Sequence, residues 1–279
     1  MFDKARGEIC MIIDFHTHVF PDAIAARTIH ALRQKADIPA FTDGTLAGLK
    51  QSMAESGINI SVVLPVVTKP SQFASVNRFA ATITEKEGII SFGGIHPDTS
   101  NYKEELNTIK SLGLKGIKIH PDYQDCFIDD IRYLHILDFA FSIGLLTVTH
   151  AGVDVGFPEP AYCSPEKSAA VLKTLYGNSM PAQPQLILAH TGGWQSWDKV
   201  ERHLIGLPVW MDISFSLGMI SNEQMLRIVR NHGAERMLFA TDSPWSGQKE
   251  TLEQFRALPL TAEEQSMILH QNAEKLLGL

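Results

Sequence analysis

The chain has 279 residues, of which 44% are hydrophobic and 20% are charged. This composition is typical of a folded globular protein and excludes a disordered chain, a coiled coil and a collagen-like repeat. The formal net charge of −7 argues against a nucleic-acid partner, because surfaces that bind nucleic acid are usually basic. At about 150 residues per domain the length suggests two domains, but α/β barrels often use this length as one.

Eight short apolar runs, bounded by Gly, Pro or polar residues, are predicted to be strands. They span residues 10–16, 59–66, 89–95, 116–120, 145–150, 185–190, 209–213 and 237–241. Several are apolar at consecutive positions rather than at alternate ones. Strands that are covered on both faces have this pattern, which is typical of a parallel sheet.

Amphipathic stretches between these runs are predicted to be helices. They span residues 21–35, 45–55, 72–86, 103–112, 129–141, 164–176, 194–205, 222–232 and 261–277. Strand and helix alternate eight times with no composition break, which predicts a closed (β/α)8 TIM barrel as one domain over residues 1–279. A doubly wound open sheet is the alternative, but no glycine-rich dinucleotide loop follows the first strand.

The chain carries no pattern of a membrane or secreted protein. No apolar run approaches the roughly 18 residues that cross a bilayer. The start does not resemble a signal peptide, because Asp3 and Glu8 interrupt it and the apolar stretch 10–13 runs into Asp14. We therefore expect a reduced, cytoplasmic compartment. Three scattered cysteines are too few for a disulfide framework or a zinc knuckle: Cys10, Cys126 and Cys163.

Histidines are concentrated at the ends of the predicted strands. Six of the eleven lie there: His16, His18, His96, His120, His150 and His190. Asp242 follows the eighth strand in the same way. Because the carboxyl ends of barrel strands meet at one mouth, we expect these side chains to converge. The other five fall inside helical patterns, where solvated or packed histidines are expected: His30, His135, His203, His232 and His270.

This convergence predicts a metal centre. Six imidazoles and a carboxylate in an apolar mouth would be poorly solvated, and the imidazoles would repel one another if protonated. Neutral imidazole and carboxylate are ligands for zinc and similar ions. Alternation along a strand places His16 and His18 on one face, where they can bind one ion together. A lone His-x-His pair is more often a chance occurrence, so the prediction depends on the whole set.

Several motifs carry a family resemblance. They are Asp14-Phe15-His16-Thr17-His18, Thr149-His150-Ala151-Gly152, Leu188-Ala189-His190-Thr191-Gly192-Gly193, Ala240-Thr241-Asp242-Ser243-Pro244-Trp245 and Asn272-Ala273-Glu274-Lys275-Leu276-Leu277. With them the chain resembles the amidohydrolase superfamily, most closely its "amidohydrolase 2" branch of metal-dependent TIM-barrel hydrolases and decarboxylases. The resemblance spans essentially the whole chain.

The resemblance implies roles for five residues. His16, His18 and His150 would bind the metal, with Asp242 as a ligand, as the base for a water, or as both. His190 would be an acid/base or polarising residue. The nitrogen-rich ligand set favours one zinc ion per chain. A divalent ion lowers the pKa of bound water from about 15.7 towards 7, and a nearby carboxylate can accept the proton.

Lys118 has three open interpretations. Some superfamily members carry a carboxylated lysine at the end of strand four that bridges two metals, and the setting of Lys118 resembles theirs. The branch that the chain most resembles usually manages with one metal. Uncarboxylated, Lys118 would be a cation for a substrate carboxylate or an oxyanion. A lysine that simply extends from the strand end to solvent is the third interpretation.

Other candidate residues carry weaker signals. His96 and His120 each precede a proline and are predicted as substrate residues or plain loop residues. The loop 151–165 is the predicted substrate lid, and its Cys163 has no neighbouring feature that would activate it as a nucleophile. Three tryptophans either wall the pocket or pack in the core: Trp194, Trp197 and Trp245.

Three functions remain open from the sequence. The first is a hydrolase that acts on a C–N or C–O bond of a small, carboxylated molecule. The second is a metal-dependent decarboxylase or hydratase, because the same branch contains both on the same ligand set. The third is a binding or scaffold protein with a relict site, which the retention of every ligand-type residue disfavours. The expected partners are a small-molecule substrate and further copies of the chain in a homo-oligomer, with no nucleic acid and no membrane.

Overall fold

Parallel strands alternate with helices along the chain. The computed structural model describes residues 11–84, 86–177, 181 and 183–279. Its strands are β1 Ile13–Thr17, β2 Ile60–Val63, β3 Ile89–Ser91, β4 Gly93–Gly94, β5 Gly116–Ile119, β6 Leu146–Thr149, β7 Leu186–Leu188, β8 Trp210–Asp212 and β9 Met237–Leu238. Each of the eight predicted runs contains a strand, and β3 and β4 are two parts of the run 89–95. Cys10, with which the first predicted run begins, lies outside the described residues.

The strands close into a barrel. They form a three-stranded sheet, β1-β2-β3, and a six-stranded sheet, β4 to β9, with every pair parallel. Phe92 links the two sheets on one side, because it alone separates β3 from β4. On the other side, the amide of Phe15 donates to the carbonyl of Phe239 at 2.9 Å, and the amide of Asp242 donates to the carbonyl of His16 at 2.8 Å. The predicted (β/α)8 barrel is confirmed.

The helices surround the strands. They are α1 Asp22–Ala36, α2 Leu46–Ser56, α3 Phe73–Thr84, α4 Tyr102–Ser111, α5 Ile131–Ser142, α6 Pro165–Tyr176, α7 Trp197–His203, α8 Asn222–His232, α9 Gln248–Arg256, α10 Ala262–Ser266 and α11 Asn272–Leu277. The predicted helix 72–86 includes residue 85, which lies outside the described residues. None of the helices in the described part combines the length and the hydropathy that a membrane crossing requires.

The apolar periodicity of the sequence predicts the C-terminal helical region but not α9. The predicted helix 261–277 is present as α10, a π-helical turn Met267–Gln271 and α11, and it begins with the expected capping box of Thr261 and Glu264. The helix α9 was not predicted. Two of its four buried residues, Gln248 and Thr251, are polar, so its apolar periodicity is weak.

Two apolar clusters hold the barrel together. One packs the outer faces of the strands against the helices. The other contains strand residues of both sheets, among them Phe15, Val148 and Trp210, together with Phe92 between β3 and β4 and side chains of α11. Phe15 and Phe92 meet edge to face, with ring centroids 5.9 Å apart. This second cluster fills the barrel below the mouth, so the polar strand-end side chains lie on top of a packed apolar layer.

His232, at the end of α8, is a packed histidine. It is fully buried, with 0% of its surface exposed. Its Nε2 donates to the carbonyl of Val209 at 2.9 Å, and its Nδ1 accepts from the amide of Gly206 at 3.3 Å. Burial lowers the pKa of His232 from 6.5 to about 4. Between these two values the unfolded chain binds a proton that the folded chain does not, so this residue makes stability fall as pH falls.

We expect His232→Gln to flatten this acid dependence. The loss of unfolding free energy between pH 7.5 and pH 4.5 should be about 2–3 kcal/mol smaller in the variant than in the wild-type protein. Urea unfolding at the two pH values measures the difference. His30→Gln, which changes an exposed histidine on α1, is the control and should follow the wild type. An identical pH dependence in wild type and His232→Gln would contradict the assignment.

Candidate metal centre

The end of β1 and the turn after β9 bring three ligand-type side chains together. The Nε2 atoms of His16 and His18 lie 3.2 Å apart. Oδ1 of Asp242 lies 3.1 Å from Nε2 of His18 and 3.4 Å from Nε2 of His16. An ion with tetrahedral bonds of about 2.1 Å separates its ligands by about 3.4 Å. The three atoms therefore have the spacing of ligands around one divalent ion, and His16, His18 and Asp242 fit the predicted metal.

A local irregularity in β1 affects the direction of the His16 and His18 side chains. The register of β1 against β2 shifts between Asp14 and Thr17. Phe15 belongs to the cluster inside the barrel, yet the next residue, His16, also turns towards the site. Bulges of this kind re-aim side chains next to active sites. The expectation that His16 and His18 share one face is met.

Asp14 connects the first strand to the turn that carries Asp242. It is buried, and its carboxylate accepts hydrogen bonds from the amide and the hydroxyl of Thr241, at 3.0 and 2.6 Å. Gln248 of α9 donates a third at 2.8 Å. The next residue in the turn, Asp242, has a left-handed backbone with φ of 71°. Such strained positions cluster at functional sites and persist only where the surrounding structure holds them. Here Asp14 holds the preceding residue, Thr241, by two hydrogen bonds.

Hydrogen bonds to the other ring nitrogen orient both histidines. Nδ1 of His16 donates to Oδ2 of Asp212 at 2.9 Å, and Nδ1 of His18 donates to the carbonyl of Leu64 at 2.8 Å. With Nδ1 as the donor, the lone pair of each ring is on Nε2, the atom that faces Asp242. Burial and the nearby Lys118 lower the pKa of His16 to about 3, so its ring is neutral, as a metal ligand requires.

Asp212, the last residue of β8, is a site residue that the sequence reasoning missed. Its Oδ1 accepts from the amide of His190 at 3.1 Å and from the amide and hydroxyl of Ser214. Burial raises the pKa of Asp212, but the hydrogen bonds that it accepts from His16 and Ser214 outweigh this and hold the pKa well below its usual range. The sequence did carry a signal for Asp212, because it is a charged residue inside the otherwise apolar run 209–213.

Lys118 and His190 lie beside the three ligands, as predicted. Nζ of the buried Lys118 is 3.1 Å from Nε2 of His16. Burial lowers the pKa of Lys118 to about 8, although Asp212 and Asp242 oppose the shift. Nδ1 of His190 donates to the carbonyl of Ser214 at 3.0 Å, which leaves its Nε2 as an acceptor. Lys118 is thus in contact with a proposed metal ligand, whereas Nε2 of His190 faces Nδ1 of His150 at 3.0 Å.

A second group of ligand-type residues lies next to the first, and it includes His150. One atom each of His120, His150 and Asp154 lie within 4.8 Å of one another. His150 is thus not grouped with His16 and His18: its Nδ1 donates to Nε2 of His190 at 3.0 Å, and its ring stacks on His120 at 4.4 Å. Asp154 approaches Nε2 of His120 to 3.5 Å from the loop after β6.

Four buried polar atoms around this second group have no hydrogen-bond partner among the described residues. They are Nδ1 of His120, Nε2 of His150 and both carboxylate oxygens of Asp122. Oδ2 of Asp122 is 3.8 Å from the first of these nitrogens and 4.0 Å from the second, too far for hydrogen bonds. Burial raises the pKa of Asp122 to about 7. The second group is therefore open to a polar ligand. Asp122, which follows the predicted His120, is another residue that the sequence reasoning missed.

Both groups line one cavity of about 580 Å³ at the carboxyl ends of the strands. Trp194 and Trp245 line it, whereas Trp197 supports it by donating to the carbonyl of His190 at 3.2 Å. Residues 153–156 of the predicted lid line it too. His96 is not among the described residues of its wall, because its Nδ1 accepts from the amide of Asp98 in its own loop.

Cys163, in the predicted lid 151–165, is buried and packed. Its Sγ lies 3.3 Å from Oγ of Ser168. Burial raises the pKa of the Cys163 thiol to about 12. Reactive cysteines have a lowered pKa, so the expectation that Cys163 is not a nucleophile agrees with its surroundings.

Comparison with solved structures shows the same barrel over nearly the whole chain. An uncharacterised TIM-barrel protein from Bordetella bronchiseptica is 21% identical with a TM-score of 0.77, covering 96% of this chain and 98% of that one. A dihydroxybenzoic acid decarboxylase from Polaromonas, with manganese and an inhibitor bound, is 15% identical with a TM-score of 0.69, covering 96% and 97%. A probable 2-pyrone-4,6-dicarboxylic acid hydrolase from Acinetobacter baumannii is 15% identical with a TM-score of 0.67, covering 96% and 99%.

Sequence comparison identifies the family. A search of curated proteins gave no match. The amidohydrolase family model, in contrast, matches residues 13–279 and so includes every strand and every ligand-type residue described above. This agrees with the resemblance seen in the sequence motifs. The chain belongs to the amidohydrolase family.

Proposed function

We propose that the chain is a metal-dependent hydrolase that acts on a C–N or C–O bond of a small substrate. The observation that carries the proposal is the group of His16, His18 and Asp242, whose ligand atoms converge at the floor of the cavity. These three residues would hold one zinc ion. His150 is the fourth ligand that the family resemblance implies, although in this structure its Nδ1 is bonded to His190. When bound, the ion would act as a Lewis acid and lower the pKa of a water molecule.

The chain's own residues supply the remaining chemistry. Asp242 is the proposed general base, because its carboxylate faces the site and lies 3.1 Å from Nε2 of His18. Asp242 accepts a proton from the attacking water and returns it to the departing nitrogen or oxygen. Lys118 stabilises the negative charge that develops on the substrate carbonyl, or binds a neighbouring carboxylate.

A decarboxylase is the second candidate. It is favoured by the position of Lys118, a single buried cation beside an apolar cavity, where a substrate carboxylate would lose its solvent. In this reaction the C–C bond to the carboxylate breaks, CO₂ leaves, and the substrate carbon takes a proton from an acid such as His190. Decarboxylases are among the solved structures with the same barrel, as are hydrolases.

A substrate screen distinguishes the two reactions. Zinc-loaded and manganese-loaded protein would be tested on lactones, amides, aryl carboxylates and β-keto acids. We expect release of protons without CO₂, the signature of a hydrolase. Release of CO₂ would instead assign the decarboxylase. His18→Ala protein in the same screen controls for contaminating activity, and equal turnover in this variant would contradict both assignments.

We also expect one divalent ion per chain. Elemental analysis of purified protein should give close to one zinc ion, and His16→Ala should lose it, because two histidines and one carboxylate leave few ligands to replace. His96→Ala, outside the cavity wall, is the control and should keep its metal. Two ions per chain, together with a carboxylated Lys118 in intact-mass spectra, would contradict the one-metal arrangement.

A further inference from the structure

The cavity extends from the polar strand ends to an apolar end that two helices build. The helix α1 contributes residues at intervals of four, and α3 contributes residues at intervals of three and four, so each helix presents one continuous face. The residues on these two faces are Ile24, Thr28, Leu32 and Ala36 of α1, and Ser75, Val76 and Phe79 of α3.

These faces differ from the fully buried faces of the two helices, although Phe79 also packs against the core. On α1 the buried residues are Ala25 and Ile29, and on α3 they include Ala80 and Ile83. The cavity-facing Leu32 is only partly buried, as are Ile24, Val76 and Phe79. Each helix therefore has a second apolar stripe whose exposed part borders the cavity. Apolar surface that folding leaves in contact with water is favourable to cover with an apolar ligand.

Other elements also line the cavity with apolar side chains. Phe20 follows β1, Val66 follows β2, and Val153 and Val155 come from the loop after β6. Lys35 of α1 lies over the ring of Phe157 in that loop, with its Nζ 3.2 Å from the ring centroid. This contact joins the loop to α1 beside the cavity. The apolar end is thus lined by side chains from several elements rather than by one surface patch.

Charge is confined to the other end of the cavity. Among the described residues that line it, Lys118 is the only lysine or arginine, and it lies beside His16. The lining carboxylates lie near strand-end histidines: Asp242 is 3.1 Å from His18, and Asp154 is 3.5 Å from His120. Lys35 of α1 lies beside the cavity, but its Nζ is over the ring of Phe157 and it is not among the described lining residues. A second carboxylate at the helical end would therefore find no cation in the wall, and burying it unpaired would be costly.

We propose that the substrate is amphipathic, with one polar reacting group at the strand ends and an aryl or alkyl body along α1 and α3. The inference rests on the proposed function, because it assumes that the reacting group binds at Asp242 and Lys118. It names a substrate class more apolar than the small, carboxylated molecule expected from the sequence. Substrates that carry a second carboxylate at the far end are excluded.

Alkyl hydroxamates of increasing length test this proposal by binding alone. The hydroxamate group chelates zinc, so calorimetry of the zinc-loaded protein with the two-, six- and ten-carbon compounds measures how the alkyl chain contributes. We expect Kd to fall about threefold to fourfold for each added CH₂ until the cavity is filled. A ten-carbon hydroxamate with a terminal carboxylate should bind at least about tenfold more weakly than the uncharged one.

A pair of variants on α1 tests whether the gain in affinity with chain length arises on the cavity face of this helix. Leu32→Asp should abolish the gain with chain length, because it places a charge on the cavity face. Ala31→Asp adds the same charge to the same helix at the neighbouring exposed position and should keep the gain. Binding of the two-carbon hydroxamate at wild-type strength shows that Leu32→Asp is folded and retains its zinc site.

The possible results separate this proposal from the metal assignment. If the two-carbon compound binds but longer chains bind no better, the apolar body is wrong and the metal centre stands. If the two-carbon compound does not bind, the test moves to metal-free protein and n-decanol. Decanol binding that Leu32→Asp removes would support the apolar site without the metal. Absence of decanol binding as well, or tighter binding of the terminal carboxylate, would overturn the proposal.

Discussion

Replacing Asp242 with asparagine is expected to reduce turnover at least about a hundredfold while leaving the fold and much of the bound zinc in place. Asparagine keeps an oxygen at the position that now lies 3.1 Å from His18, but it cannot accept a proton from water. It also tolerates the left-handed backbone at this residue, where φ is 71°, better than alanine would. The variant therefore removes the base with little change in structure.

Turnover at saturating zinc and metal content by elemental analysis measure this prediction together. Asp98→Asn, at a carboxylate with 53% of its side chain exposed, is the control and should behave as the wild type. His150→Ala should instead lose its metal, and it should lose activity because the metal is missing. Near-normal turnover in zinc-loaded Asp242→Asn would refute the base assignment and transfer the role to His190.

Replacing Asp212 with asparagine is expected to weaken zinc binding about 10- to 100-fold, although Asp212 is not a proposed ligand. Its two carboxylate oxygens accept hydrogen bonds from opposite sides: Oδ2 from His16, and Oδ1 from His190 and Ser214. An amide has one oxygen, so its NH₂ group must face donors on one of the two sides. His16 then loses the partner that fixes its ring, or the turn around Ser214 is disrupted.

Competition with a chromogenic chelator measures the zinc affinity of wild type and Asp212→Asn. Asp198→Asn, at an exposed carboxylate on α7, is the control for a general effect of lost negative charge. Thermal unfolding without metal shows whether the variant is folded before zinc is added. Unchanged affinity in folded Asp212→Asn would show that the orientation of His16 does not depend on this carboxylate.

The arrangement of strands and helices was predictable because it follows from short-range patterns. Consecutive apolar residues bounded by Gly and Pro marked the barrel strands, and periodicity marked most helices. The exception, α9, buries Gln248, which donates to Asp14 of the first strand. A polar residue buried for a partner more than 200 positions away cannot be distinguished from a solvated one by periodicity.

The sequence by itself determined the barrel and the residues that meet at its mouth. Parallel strands have equivalent ends, which predicts that histidines at those ends meet, and the period of a strand predicts that His16 and His18 share a face. His96 is the exception, since it is not among the described residues of the cavity wall. This part of the site required only the order of the residues and the period of a strand.

The tertiary structure decided how these residues are divided and what surrounds them. His16 and Asp212 are 196 positions apart, and their contact depends on barrel closure and on the irregularity in β1. The direction of each ring placed His150 with His120 rather than with His16. The second apolar stripes of α1 and α3 line the cavity, since no other element in the described part of the chain covers them. Side-chain direction and the packing of distant elements are set by the closed barrel, and no local pattern in the sequence contains them.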